Sequence, residues 1–176
     1  MSSEMILSTR PGTDEYSQYF SGYVARVPDG DVVDTLSRQI VETAQLLRAL
    51  PDSRGDYRYA SGKWSIREVI GHMADTERVF AYRALCFSRA DSSPLPGFDQ
   101  DDYVREAPFA RISIVDLVDE FEHLRWATLH LFRNLDADAL LRRGSANGNE
   151  ISVRALAWLC AGHEKHHVDI LRTRYL

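Results

Sequence analysis

Apolar residues return at three-and-four spacing from Asp31 onward. Val33, Leu36, Ile40, Thr43, Leu47 and Leu50 form one stripe, and Pro51 ends it. That pattern predicts an amphipathic helix. A second helix is predicted from Ser65 to about Arg89. Ser65 and Glu68 stand three apart, the spacing at which each side chain satisfies a free backbone N–H. Ile66, Val69, Ile70, Met73, Phe80, Ala84 and Phe87 then supply apolar positions around much of the circumference. A third helix opens at Ser113, with Asp116 as its capping partner and a stripe of Ile114, Leu117, Phe121, Leu124, Thr128, Leu131 and Leu135. The last is capped by Ser152 and runs to near Arg174. Its stripe reads Val153, Leu156, Cys160, His163, His167, Ile170 and Arg174.

The intervals are less regular. Residues 1–30 read as an irregular segment whose aromatic cluster, Tyr16, Tyr19, Phe20 and Tyr23, packs on the outside of the helices. Asp91 to Ile112 breaks all periodicity and holds Pro94, Pro96, Gly97 and Pro108. A loop this long is often functional, and the alternative is an ordinary crossover. Asp136 to Glu150 is a connection with Gly144, Asn147 and Gly148 as turn residues. No segment alternates as a strand. The expected fold is all-α: an antiparallel four-helix bundle over residues 31–176 with a long connection between helices 2 and 3.

Composition narrows the function. The 176 residues fit one domain able to bury a core without disulfides. Lys plus Arg is 21 against 26 Asp plus Glu, a net charge of -5. Duplex binding calls for a basic excess, so no nucleic-acid partner is expected. Mean hydropathy is -0.32, and no apolar run approaches the ~18 residues of a membrane span. The first ten residues lack the basic and apolar regions of a secretory signal. The two cysteines, Cys86 and Cys160, fall in no CxxC pattern and are expected to be reduced core thiols of a cytoplasmic protein.

The anomaly lies in the last helix, where histidine replaces leucine on the stripe. Residues i and i+4 share one helix face about 6 Å apart along the axis, so His163 and His167 can chelate one metal ion. The competing reading makes His72 and His167 hydrogen-bonded core histidines. His166 can also pair with His163 but lies off the stripe, so His167 is preferred. Open metal sites take three protein ligands, and His72, mid-way along the second helix, is the natural third. His123 and His130 lie off their stripe and are expected to be exposed. Glu68 and Asp75 share a face with His72 and could orient it, although Glu68 reads first as the cap. Glu77, Arg78 and Arg83 read as an ion-pair set or a contact to the long loop. Glu164 points away from His163, since neighbours on a helix diverge by about 100°. Trp64, Trp126 and Trp158 read as packing residues. No catalytic nucleophile or acid–base pair stands out, so catalytic residues stay unassigned.

These residues resemble a known family. Gly62-Lys63-Trp64-Ser65-Ile66-Arg67-Glu68-Val69-Ile70-Gly71-His72 resembles the second-helix motif of the DinB-like superfamily. Asp75-Thr76-Glu77-Arg78, Tyr82-Arg83-Ala84-Leu85 and Pro94-Leu95-Pro96-Gly97-Phe98-Asp99 follow in its order. Ala161-Gly162-His163-Glu164-Lys165-His166-His167 resembles its C-terminal His-x-x-x-His helix. The resemblance runs from about Tyr16 to the C-terminus. It implies a four-helix bundle, often a homodimer, with a divalent metal on His72, His163 and His167; zinc or nickel are the expected ions. It also implies a small-molecule substrate. The foremost implied activity is a transferase that activates a low-molecular-weight thiol such as bacillithiol, mycothiol or glutathione. A metal-dependent hydrolase at the same site, or a non-enzymatic, stress-related metal-binding dimer, are the alternatives.

Overall fold

The computed structural model describes residues 2–176. In chain order its elements are α1 (Ser3–Leu7), α2 (Ser21–Val24), α3 (Val32–Arg48), α4 (Ile66–Ser88), α5 (Gln100–Glu106) and α6 (Ile114–Arg133). They continue with α7 (Ala137–Leu141), β1 (Arg143–Ala146), β2 (Asn149–Ser152) and α8 (Val153–Ile170). The four long helices α3, α4, α6 and α8 occupy the predicted places. Each is opened by a side chain that accepts from its free first-turn amides: Asp31, Ser65, Ser113 and Ser152. At Ser65 the reciprocal half is present too, with the Glu68 carboxylate accepting from the Ser65 amide at 2.6 Å.

The wiring follows from the cross-links. Arg48 pairs with Asp119 and Glu122, and Arg133 with Ser37, so α3 and α6 run antiparallel. His72 meets His163, and Phe80 to Phe87 pack beside Trp158, so α4 and α8 are antiparallel too. Arg67 reaches Ile112 and Arg78 reaches Glu120, so α4 and α6 run the same way. Gln39 meets Ala161 and Thr43 meets Glu164, which makes α3 and α8 parallel. Helices α3 and α4 are therefore diagonal, as are α6 and α8. Two parallel neighbours need a crossover the length of the bundle, which is the physical reason for the long 89–113 connection.

That connection is not structureless. It contains α5 and a 3-10 turn at Phe109–Arg111, and Leu95 lies along the edge of β1, donating to Ser145 O at 2.9 Å and accepting from Asn147 N at 3.0 Å. The 136–150 connection also departs from expectation. It forms α7 and the β1–β2 hairpin, paired antiparallel from Arg143↔Ser152 to Ala146↔Asn149. Asn147 and Gly148 take positive φ, 52° and 72°, as a two-residue hairpin turn needs. Residues 1–30 carry α1 and α2 rather than being irregular throughout.

The core has two apolar clusters, one around Phe80, Phe87, Phe132 and Trp158 and one around Ile66, Ile70, Phe121 and Leu171. A polar layer separates them, built from Thr43, His72, Thr76, Glu77, Arg125, His163, Glu164 and His167. Two side chains and one helix face depart from the sequence reading. Trp126 is 37% exposed. Cys160 is buried as expected, but Cys86 is only half-buried. The stripe of α6 is rotated, with Leu124 and Leu131 half-buried and Arg125 and Leu129 fully buried in their place.

Candidate metal centre

His72 comes from the middle of α4, and His163 and His167 from α8. They are 2%, 6% and 8% exposed. His72 Nε2 lies 3.0 Å from His163 Nε2, which lies 3.1 Å from His167 Nε2. Among the described residues this is the one group of three potential ligands whose donor atoms converge, all within 4.8 Å of one another. Burial favours the neutral ring in each. It brings His72 down to about 4 and holds His163 and His167 well below the ordinary histidine value, with the neighbouring imidazoles adding to the effect.

The donor chemistry fits a divalent cation. Neutral imidazoles facing one another through Nε2 need one ring to donate wherever another accepts, and three cannot all be satisfied by a shared contact. A cation accepts three lone pairs at once. The observed separations are close to the roughly 3.3 Å edge of a tetrahedral site with metal–nitrogen bonds of about 2.05 Å. No carboxylate joins the cluster among the described residues.

The surrounding side chains fix the rings. Thr76 Oγ1 stands 3.5 Å from His72 Nδ1. Trp64 covers His72, with centroids 4.6 Å apart, and stacks over His167. Tyr23, from α2, packs edge-on against His163 and His166 at 5.6 and 5.3 Å. This contact explains Gly162: a Cβ there would sit 2.2 Å from the Tyr23 carbonyl oxygen, so only glycine lets α2 lie against α8. His166 is half-buried against Tyr23 and outside the cluster. His123 and His130 are exposed, as expected.

Neither carboxylate that shares a face with His72 orients it, and Glu68 takes the capping role read first for it. Glu68 caps α4 and pairs with Arg58, and Asp75 pairs with Arg78. Glu164 points away from the cluster, as the helix geometry predicts, into a buried network that the sequence reading missed. The fully buried Arg125 guanidinium grips Glu77 through Nε and Nη2 (2.7 and 2.5 Å) and Glu164 through Nη1 (2.6 Å). Thr43 donates to the other Glu164 oxygen at 2.6 Å. Glu77 thus forms its ion pair in the core with Arg125 rather than with Arg78 or Arg83. Burial raises the Glu164 carboxyl above its usual range against the pull of Arg125, while two adjacent carboxylates hold Arg125 firmly cationic.

A cleft of about 440 Å³ opens from the cluster, reaching it at His163. Thr76, Phe80 and Arg83 line it from one face of α4. Phe20 and Tyr23, the hairpin and residues 97–101 of the long connection complete it. The aromatic cluster of residues 16–23, expected to be packing alone, therefore supplies a wall of this space. Arg83 touches the long connection as predicted, donating to Pro96 O at 2.9 Å.

A model of the DinB superfamily matches residues 35–171. A candidate metal-dependent hydrolase of Oceanobacillus iheyensis is 27% identical over 139 residues, which span 77% of each chain. The structure of YfiT from Bacillus subtilis, described as a probable metal-dependent hydrolase with an unusual four-helix bundle topology, matches with a TM-score of 0.67. It is 17% identical and covers 97% of this chain and 95% of that one, which speaks to the fold. With the family match spanning most of its length and the bundle in place, the chain belongs to the DinB superfamily.

Proposed function

We propose that this protein is a metal-dependent enzyme whose His72, His163 and His167 hold one divalent ion, zinc or nickel, at the inner end of the cleft. We propose further that its nucleophile is a small thiol. The carrying observation is the convergence of three buried, neutral imidazole nitrogens at a point where the cleft ends and no carboxylate is present. A divalent ion supplies Lewis acidity there and shifts a thiol or water toward its anionic, nucleophilic form near neutral pH. A thiol is already far more acidic than water, so one held beside such an ion would give its proton to solvent near neutral pH, and the lack of a general base favours it. Glu164, the one carboxylate next to a ligand in sequence, is committed to Arg125.

The chain's own residues keep the site ready. Burial holds the three rings in the form that offers a lone pair. Trp64 and Tyr23 shield the rings from water. The Arg125 network ties α8 to α4 and α6 and so fixes the angle at which His163 and His167 leave their helix. A second reading, hydrolysis at the same centre, is supported by the descriptions of both relatives.

The test is elemental analysis of reconstituted protein beside turnover. About one divalent ion per chain, absent from His163→Ala, is expected. The loaded protein is expected to join glutathione or another small thiol to monochlorobimane. Equal metal in His163→Ala would overturn the site. Hydrolysis of an ester panel at a rate indifferent to added thiol would replace the first reading with the second.

A further inference from the structure

Three arginines are more than nine-tenths buried: Arg67, Arg83 and Arg125, at 7%, 6% and 0% exposure. Two have carboxylate partners. Arg67 pairs with Asp52 and Asp56, and Arg125 with Glu77 and Glu164. Arg83 has none. Among the described residues no carboxylate oxygen comes within ion-pair distance of its guanidinium, and its one hydrogen bond goes to the neutral carbonyl of Pro96. A buried, unpaired charge is costly, and burial alone lowers the affinity of this group for its proton. A buried guanidinium with no carboxylate of its own, on a cleft wall, is placed to pair with an anionic group that enters the cleft.

The position of Arg83 matters as much as its charge. Thr76, Phe80 and Arg83 follow one another along the face of α4 that lines the cleft, one turn apart, and His72 lies one turn before Thr76. Eleven residues of helix set His72 and Arg83 about 16 Å apart along the axis. The cleft thus runs from the histidine cluster at one end to a lone guanidinium at the other, between the aromatic rings of Tyr19, Phe20 and Tyr23.

The rim limits the kind of anion. Asp99, Asp101 and Glu150 also line the cleft. Asp99 is occupied in capping α5, and Glu150 is paired with Arg143. Their charge still opposes a multiply charged ligand, while one planar carboxylate matches the fork of a single guanidinium.

We propose that Arg83 binds a carboxylate of the substrate, whose other end reaches the three-histidine centre; the second half rests on the metal-dependent reading above. The substrate class is then an elongated monocarboxylate with an apolar or aromatic middle.

The probe is 3-phenylpropionate, titrated into ¹⁵N-arginine-labelled protein with and without zinc and followed at the Arg83 Nε–H resonance. Saturable binding is expected in both forms. It should weaken about tenfold or more for 3-phenylpropanamide, which lacks only the charge, and for Arg83→Met. Arg83→Lys, which keeps the charge but loses the fork, should fall between. Equal affinity for acid and amide in the wild type would overturn the proposal without recourse to any variant. So would undiminished acid binding by Arg83→Met. Tighter binding of phenyl phosphate than of the acid would overturn the carboxylate assignment. The metal-free titration separates the two readings. Failure of the histidines to take up zinc leaves a positive carboxylate result standing, and zinc uptake without carboxylate selectivity sinks only this one.

Discussion

Replacing Arg125 with methionine tests the polar layer directly. Arg125 makes five polar contacts: three to Glu77, one to Glu164 and one to the Leu36 carbonyl. Methionine fills much of the same volume and makes none of them. Glu77 and Glu164 are then left together with 3% and 1% side-chain exposure and no counter-charge. Breaking a buried pair from one side costs about 3–5 kcal/mol, a large part of the 5–15 kcal/mol typical of a domain. For a chain of this size the midpoint should fall by about 6–20 °C. Urea denaturation followed by helical circular dichroism reads the loss. Two controls sharpen it. Converting Glu77 and Glu164 to Gln in the same chain removes the stranded charge and should restore most of the stability. The deficit of the single variant against wild type should also shrink as pH falls. Uncompensated carboxyls have folded pKa values above their unfolded value near 4.5, so their contribution is whole below that value and is lost as pH rises through the folded one. An Arg125→Met variant within about 1 kcal/mol of wild type at neutral pH, with no pH trend in the difference, would refute the reasoning.

Two further perturbations probe how the N-terminal segment packs on α8. In Gly162→Ala the new methyl meets the Tyr23 carbonyl, which is backbone and cannot swing aside. About 1–3 kcal/mol should be lost, together with easier metal release as Tyr23 shifts from His163, measurable by chelator competition; unchanged stability would mean that α2 yields freely. Glu15 binds Arg154 bidentately, accepts from Ser152 Oγ at 2.8 Å and from the Gly12 amide at 2.8 Å, and its carboxyl lies below the usual range despite the opposing cost of burial, because those partners outweigh it. A depressed carboxyl gives stability that is present above the unfolded value near 4.5 and is lost as pH falls through the folded one. Glu15→Gln should therefore cost about 1.5–3 kcal/mol at pH 7, and its difference from wild type should narrow below pH 4.5; a difference constant with pH would be the contrary result.

The bundle was legible because each helix announces itself by period and cap. Ser65 and Glu68 both predicted and form the capping box. The histidines were legible because they stand on an apolar stripe. Arg125 was hidden by the same logic: a charged residue reads as surface, and only the approach of Glu77 and Glu164 from two other helices makes its burial tolerable. The hairpin was hidden because β1 is Arg-Gly-Ser-Ala, with no β-branched residue. Gly144 is small for packing reasons, since a Cβ there would meet the Phe87 ring at 2.1 Å. The Asn147-Gly148 pair is the available signal, and by itself it predicts a turn without specifying the strands on either side. Tyr23 carries no periodic mark, and Arg83, although it shares a helix face with His72, Thr76 and Phe80, reads in sequence only as an ion pair or a loop contact. Their role exists only once the long connection and α2 close around them.

The diagonal placement of α3 against α4, and of α6 against α8, bears on how the chain finds this structure. In an up-and-down bundle, successive helices pack at once and each helical hairpin can seed the rest. Here neither pair of helices joined by the shorter connections shares an extensive contact surface. Each major interface closes a loop that spans the 89–113 crossover or a whole intervening helix. Such closures lose chain entropy before packing returns it, and a high proportion of distant contacts slows the search. The protein is helical by content, yet its folding rate should fall below that of helical bundles of equal length with nearest-neighbour wiring. The same crossover that delays assembly also delivers Gly97 to Asp101 to the cleft, so slow closure and a finished cleft wall arise from one turn of the topology.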